Sequence, residues 1–334
     1  MKNSGNSRGN ELLDRLRLGR CRLGRCRLGS LRIAALAMVF ALSLGACMPI
    51  KVNEGMFLRP TPDAQPLGSH AALAAAVELA PGYVARAISV DRGDAVLQGV
   101  WLHRGAPNAQ PRITAIYFMG NAQRLSRSLQ GLADTLLPFD VDLLVFDHRG
   151  NGLSNGTPTI VLLEADARAI YDHAVGTLGI APRRIVGHGF SLGSLIVGGL
   201  ALDRPLAGLV LDGTGSTAQD YVRYGIPWYA KPFVRVEYDP SIEGKGNLRV
   251  VQVYRGPLLI LSGQRDATAN WRMSRRLFDA ARSGEKQWVL APDQGHGGVF
   301  LTAPAQAAYR QLLAQVQTNA AVQAVAASPA SNAR

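Results

Sequence analysis

Cysteine is nearly missing from this chain: three in 334 residues, at positions 21, 26 and 47, and none beyond. The body of the protein therefore has no internal disulfide framework and no cysteine-ligated metal site. Charge is sparse as well, at 18% of residues against 47% hydrophobic, which supplies core for one large α/β domain or two smaller ones. Acidic residues are outnumbered 24 to 36, for a net charge of +12. That excess is concentrated at the start: residues 1–46 hold nine Lys/Arg and two Asp/Glu. No dense basic stripe remains afterwards, so nucleic acid is not expected as a partner.

The basic start, with its repeated CRLGR, is followed by an uncharged run, Ile33 to Ala46, of 14 residues. This is too short to cross a bilayer comfortably and has the shape of a secretory signal's apolar core. It ends in "LGAC", Leu44 to Cys47, which resembles the bacterial lipoprotein signal. The resemblance implies cleavage before Cys47, acylation of Cys47, and a lipid-anchored protein of the cell envelope on the periplasmic side. Met48 in place of aspartate favours the outer membrane. Residues 1–46 are thus expected to be a lipoprotein signal peptide, 47–82 a tether and lead-in rich in proline and small polar residues, and 319–334 a flexible, alanine-rich tail.

Between these ends, 83–318 read as one domain. Two strands (83–90 and 95–103) flank a turn at Arg92, Gly93 and Asp94. Short apolar runs then alternate with helical patterns: strands at 113–119, 141–147, 183–189, 207–213, 257–263 and 287–292, and helices at 124–138, 160–178, 191–203, 271–282 and 304–318. Apolar runs of strand length separated by amphipathic helices imply parallel strands buried on both faces. The expected fold is a doubly wound α/β sheet with antiparallel N-terminal strands. Residues 216–255 break the rhythm with aromatics, proline and glycine, and read equally as a small lid or as a long surface connection packed on the sheet edge.

The chemistry centres on "GHGFSLGS", Gly187 to Ser194. Ser191 sits between a strand and a helix in G-x-S-x-G, a nucleophile elbow. Gly189 and Gly193 spare the turn steric clashes, and the Leu192 amide opens the helix where N–H groups lack partners. A serine needs a base. Of six histidines, His296 lies in a glycine-rich loop after the last strand, whereas His70, His103, His148, His173 and His188 read as structural. The base needs an acid. Asp266 follows a buried strand, with Asp212 as its rival one strand earlier and Asp293 too near the histidine in sequence to aim at its ring. The oxyanion donors are expected to be the Leu192 and Asn121 amides, with Gly120 permitting close approach.

These motifs together resemble the α/β-hydrolase superfamily, in its branch of esterases, monoacylglycerol-type lipases and serine-aminopeptidase-like proteins. The order Ser191, Asp266, His296 is that of the superfamily. "GNAQ" (Gly120 to Gln123) is similar to its HGNA-type loop, with Met119 where histidine is usual. "FDHRGNGLSNGTPT" resembles its D-x-R-G-x-G-x-S-x-G-x-P segment at Asp147, Arg149, Gly150, Gly152, Ser154, Gly156 and Pro158. The resemblance implies an α/β-hydrolase fold and an esterase or lipase that uses neither cofactor nor metal and takes a small acyl ester or lipid. An aminopeptidase or amidase on the same residues, or a catalytically silent envelope-binding lipoprotein, are the alternatives.

Overall fold

A computed structural model describes residues 49–62, 69–105 and 112–327, with side chains through 324. The expected signal segment and Cys47 lie outside the described residues, as do 328–334. No helix among the described residues is long and apolar enough to cross a membrane.

The chain divides into two units, one of residues 1–51 and 228–237, the other of 52–227 and 238–334. In the first, strand β1 (Ile50–Val52, its last residue already in the second unit) pairs with β8 (Val236–Tyr238). The second is built on an eight-stranded sheet. In chain order its elements are α1 (His70–Ala76), β2 (Tyr83–Asp91), β3 (Val96–Arg104), β4 (Thr114–Phe118), α2 (Leu125–Leu136), β5 (Asp142–Phe146), α3 (Ile160–Gly176), β6 (Ile185–Phe190), α4 (Leu192–Asp203), β7 (Gly208–Asp212), α5 (Ala218–Gly225), α6 (Leu248–Val253), β9 (Leu258–Gly263), α7 (Trp271–Ala280), β10 (Lys286–Ala291) and α8 (Ala303–Ala327).

The sheet order is β10-β9-β7-β6-β4-β5-β3-β2. Strands β10 to β5 are parallel, whereas β3 and β2 are antiparallel. The apolar runs do what their lack of alternation implies: every residue of β5, β7 and β9 is buried, because helices cover both faces. On one face α2 and α8 bury Leu125, Leu129, Tyr309, Leu312 and Val316 over Val145, Val186 and Leu259. On the other, α4 lies close to β6: a side chain at Gly187 would strike Val197 of α4 and Leu206. The chain moves from β4 outward to β5, then returns to lay β6 on the opposite side of β4. That reversal opens a crevice at the carboxyl ends of β4 and β6, where open α/β sheets bind ligands.

Three expectations are revised. The tail does not begin at 319, because α8 continues to Ala327; alanine is the strongest helix former, and Ala320 is buried with Val316. The lead-in is not simply a tether. Gly152 N–H donates to Thr61 O at 3.1 Å, Thr61 N–H donates to Asn151 Oδ1 at 2.7 Å, and α1 carries a Ser69 cap. Part of 216–255 belongs to the body: Val250 and Val251 of α6 are buried, and the Asn247 amide donates to Ser194 O at 3.0 Å and Thr214 Oγ1 at 2.8 Å. The turn at 92–94 is present, closed by Arg92 N–H to Ala95 O at 2.8 Å.

Candidate active site

Ser191 occupies the junction of β6 and α4 with φ 53° and ψ −116°. A non-glycine residue there costs about 1–3 kcal/mol and persists only when its surroundings impose it. They do so here. Ser191 N–H donates to Asp212 O at 2.8 Å, and Ser191 O accepts from the amide (2.9 Å) and hydroxyl (2.6 Å) of Ser194. The flanking glycines have no room for a side chain. A Cβ at Gly189 would collide with the Gly193 carbonyl, and one at Gly193 with the Phe118 and Met119 carbonyls. Serine is a favoured helix N-cap, but the Ser191 hydroxyl does not cap α4.

It meets His296 instead: Nε2 lies 2.7 Å from Ser191 Oγ. On the other side of the ring, Nδ1 lies 2.8 Å from Asp266 Oδ2. The Asp266 side chain is 1% exposed and that of His296 27%. Asp266 is itself immobilised, since Oδ1 accepts the Thr268 and Ala269 amides at 2.8 and 2.7 Å. The loops carrying Asp266 and His296 are stitched together by Arg265 N–H to Gln294 O (3.0 Å) and Gln264 N–H to Ala291 O (2.9 Å). The Phe190 ring stands 5.2 Å from the His296 ring. Three residues spread over 105 positions are thereby brought into one hydrogen-bonded line. In the tautomer with its proton on Nδ1, the ring would donate to Asp266 and leave Nε2 free to accept a hydrogen bond from the serine hydroxyl.

The loop of Gly120 to Gln123 follows β4, the neighbour of β6 across the crevice. Gly120 fits against Phe190, where a Cβ would approach ring carbon Cδ1 to 2.8 Å. Gly120 N–H donates to Gln123 Oε1 at 2.6 Å. His148 reaches Met119 O at 2.7 Å through Nε2, which must carry the proton because a carbonyl only accepts. Burial holds the His148 pKa below its usual value, so the ring stays a neutral donor. This bond supports the loop at the position where Met119 departs from the usual histidine. The Asn121 side chain is tied at both ends, accepting Arg59 N–H at 3.0 Å and donating to Phe57 O at 2.5 Å. Leu192 is the first residue of α4, so its amide has no helical acceptor.

The D-x-R-G segment braces the crevice from outside the reacting atoms. Asp147 accepts the Leu125 and Leu153 amides at 2.8 and 3.0 Å. Arg149, 1% exposed, grips Asp166 with Nε and Nη2 (2.9 and 2.8 Å) and Asp94 with Nη1 (2.6 Å). The Asp of the 92–94 turn is thereby a partner of this buried guanidinium.

The rival acids separate clearly. Asp293 is exposed and paired with Arg265 at 2.8 Å. Asp212 is buried beside the site, with no hydrogen-bond partner on Oδ1 among the described residues. Burial raises its pKa to about 7, aided by the charge of Asp266 and opposed by His296. The remaining histidines lie elsewhere: His188 is packed among Tyr117, Phe300 and Tyr309, with its pKa lowered to about 3 by burial, His103 stacks on Trp101 at 3.8 Å, and His70 meets Ser89. The sequence reading did not anticipate the support of the loop by His148 and Gln123 or the grip of Phe57 and Arg59 on Asn121.

No family model matches the chain. The uncharacterized Mycobacterium tuberculosis protein Rv2307c is 31% identical over 212 residues, covering 63% of this chain and 72% of that protein. Among solved structures, the Pyrococcus furiosus esterase Pf2001 superposes with a TM-score of 0.57 at 18% identity, covering 78% of this chain and 97% of its own. Est1E from Butyrivibrio proteoclasticus, determined with ferulic acid bound, gives 0.53 at 17% identity, covering 69% and 99%. With the sheet order above, these likenesses place the chain in the α/β-hydrolase fold.

Proposed function

This chain belongs to the family of the Mycobacterium tuberculosis protein Rv2307c, and from the site it carries we propose that it is a serine hydrolase that cleaves carboxylic esters through an acyl-enzyme. The observation that carries the reading is the unbroken line from Asp266 through His296 to Ser191 Oγ, with contacts of 2.8 and 2.7 Å, at the crevice where the strand order reverses. Ser191 Oγ attacks the ester carbonyl carbon while its proton passes to His296 Nε2. Asp266 holds the ring and balances the imidazolium charge. The negative oxygen of the tetrahedral intermediate is received by the Leu192 and Asn121 amides, a donor pair of the kind worth ~10²–10³ in rate for each member. Collapse breaks the bond to the alcohol oxygen, which takes the proton from Nε2. Water, deprotonated by the same nitrogen, then attacks the acyl carbon, and the acid leaves as Ser191 regains its proton. The esterase neighbours favour an ester over an amide as the bond cleaved.

The signal-like start and "LGAC" support the further reading that this activity is carried on a lipid anchor at Cys47 in the cell envelope. A chain bearing two or more acyl groups stays on a membrane. Acylation of Cys47 is checked by intact-mass analysis of the mature protein. Catalysis is tested with an activated fluorophosphonate and p-nitrophenyl esters of graded chain length, alongside amides and peptides. Label on Ser191 and loss of turnover in Ser191→Ala are expected; an unlabelled Ser191 or undiminished turnover in that variant refutes the reading.

A further inference from the structure

The exposed large aromatic side chains among the described residues fall within ten positions of sequence: Tyr224, Trp228, Tyr229 and Phe233. Trp228 is 81% exposed, more than any other large hydrophobic residue described. Its ring stands 5.9 Å from that of Tyr229 in an edge-to-face pair, so the two present one continuous apolar surface. Lys231 and Arg235 are exposed among them, and Glu237 is the one acidic residue of 228–237. Ile50 and Lys51, on the neighbouring strand, are exposed too. Aromatic rings with polar edges, set among cations, suit a lipid headgroup region, where one end of the ring is apolar and the other wet. The cations match anionic lipid.

A second observation says where this surface must lie. Ile50 N–H donates to Arg235 O at 2.8 Å. Ile50 follows Cys47 by three residues, which reach at most ~10 Å fully extended. An acyl group on Cys47 seated in a bilayer therefore keeps Ile50, and with it Arg235, at headgroup level.

We propose that residues 228–235, together with Ile50 and Lys51, form a docking surface for an anionic lipid bilayer, with Trp228, Tyr229 and Phe233 entering the interface and Lys231, Arg235 and Lys51 meeting lipid phosphates. The inference rests on the acylation of Cys47 proposed above and extends it. The anchor supplies attachment, and the aromatic strap supplies orientation.

The test uses the mature acylated protein, its acyl mass confirmed first, on vesicles of phosphatidylethanolamine and phosphatidylglycerol whose acyl chains are brominated. Tryptophan fluorescence is expected to be quenched, and the quenching to be lost in Trp228→Phe, which leaves the three other tryptophans. Lys231→Glu with Arg235→Glu should reduce quenching to the level seen on phosphatidylcholine vesicles. Circular dichroism should be unchanged in both variants, showing that they are folded. Acylated protein without quenching, or with equal quenching in Trp228→Phe, overturns the docking surface while leaving the anchor intact. A chain without acyl mass at Cys47 overturns both. Ester turnover is scored separately and bears only on Ser191.

Discussion

Replacing Asp266 by asparagine tests the proposed machinery most sharply, because the structure dictates how the new side chain must turn. Oδ1 accepts two backbone amides, from Thr268 and Ala269, at 2.8 and 2.7 Å. A carboxamide has one oxygen, and only that oxygen can face two N–H donors. Its NH2 group is thereby aimed at His296 Nδ1, now 2.8 Å from a carboxylate oxygen. The ring answers by becoming an acceptor at Nδ1 and carrying its proton on Nε2, toward Ser191. In that tautomer it cannot take the serine proton, although no atom has moved far. Isosteric loss of the correct tautomer costs ~10⁴ in kcat, or about 5.5 kcal/mol at 1.36 kcal/mol per decade. The measurement is steady-state hydrolysis of a p-nitrophenyl ester, with urea unfolding to confirm unchanged stability. The fall should appear in kcat with KM nearly constant, since substrate binding is not touched. A folded Asp266→Asn enzyme within about tenfold of the parent would refute the assignment of Asp266 as the orienting acid and return Asp212 to that place.

Other substitutions probe the frame around this line. Gly193→Ala pushes a methyl group into the Phe118 and Met119 carbonyls; turnover should fall by at least ~10², the scale of a 1 Å misplacement, as measured on protein shown by circular dichroism to be folded. Arg149→Met strips Asp166 of its bidentate partner inside the protein, leaving Arg92 at 3.2 Å, and should lower urea stability by about 3 kcal/mol. Asp212→Asn should change the pH dependence of stability. In the folded protein Asp212 keeps its proton up to about 7, whereas the unfolded chain loses it near 4. Its contribution to stability is therefore intact below about pH 4 and is lost as pH rises toward 7. The asparagine variant, free of that loss, should gain on the parent between pH 4 and 7 and hold a constant margin above; equal denaturation midpoints at pH 5 and 8 would contradict the burial of a charged Asp212.

How much of this was visible in the sequence depends on the range of the forces involved. The strand positions were legible because burial on both faces leaves uninterrupted apolar runs, as in β5, β7 and β9. The elbow was legible because a strained turn needs glycine at fixed offsets on either side of Ser191. Asp266 and His296 could be chosen because each follows a strand whose carboxyl end must face the crevice. The grip on Asn121 could not: Phe57 and Arg59 are more than sixty positions away, and nothing in a proline-rich segment advertises a hydrogen-bond partner. The end of α8 was missed for a different reason. Alanine and serine in a low-complexity tail look like fraying, and only the packing of Val316 and Ala320 reveals the helix. The titration of Asp212 belongs to the same class, since it arises from burial and from neighbours on other strands.

The grip on Asn121 also redraws where the catalytic body starts. Phe57, Arg59 and Thr61 precede the first strand of the large sheet, yet they hold the turn that would receive the negative oxygen. A protease nick after Thr61 would leave serine, histidine and aspartate untouched and still unfasten the cradle opposite them. A chain trimmed to begin at Tyr83 would keep every strand of the large sheet and lose Phe57, Arg59 and Thr61, and with them the hold on Asn121.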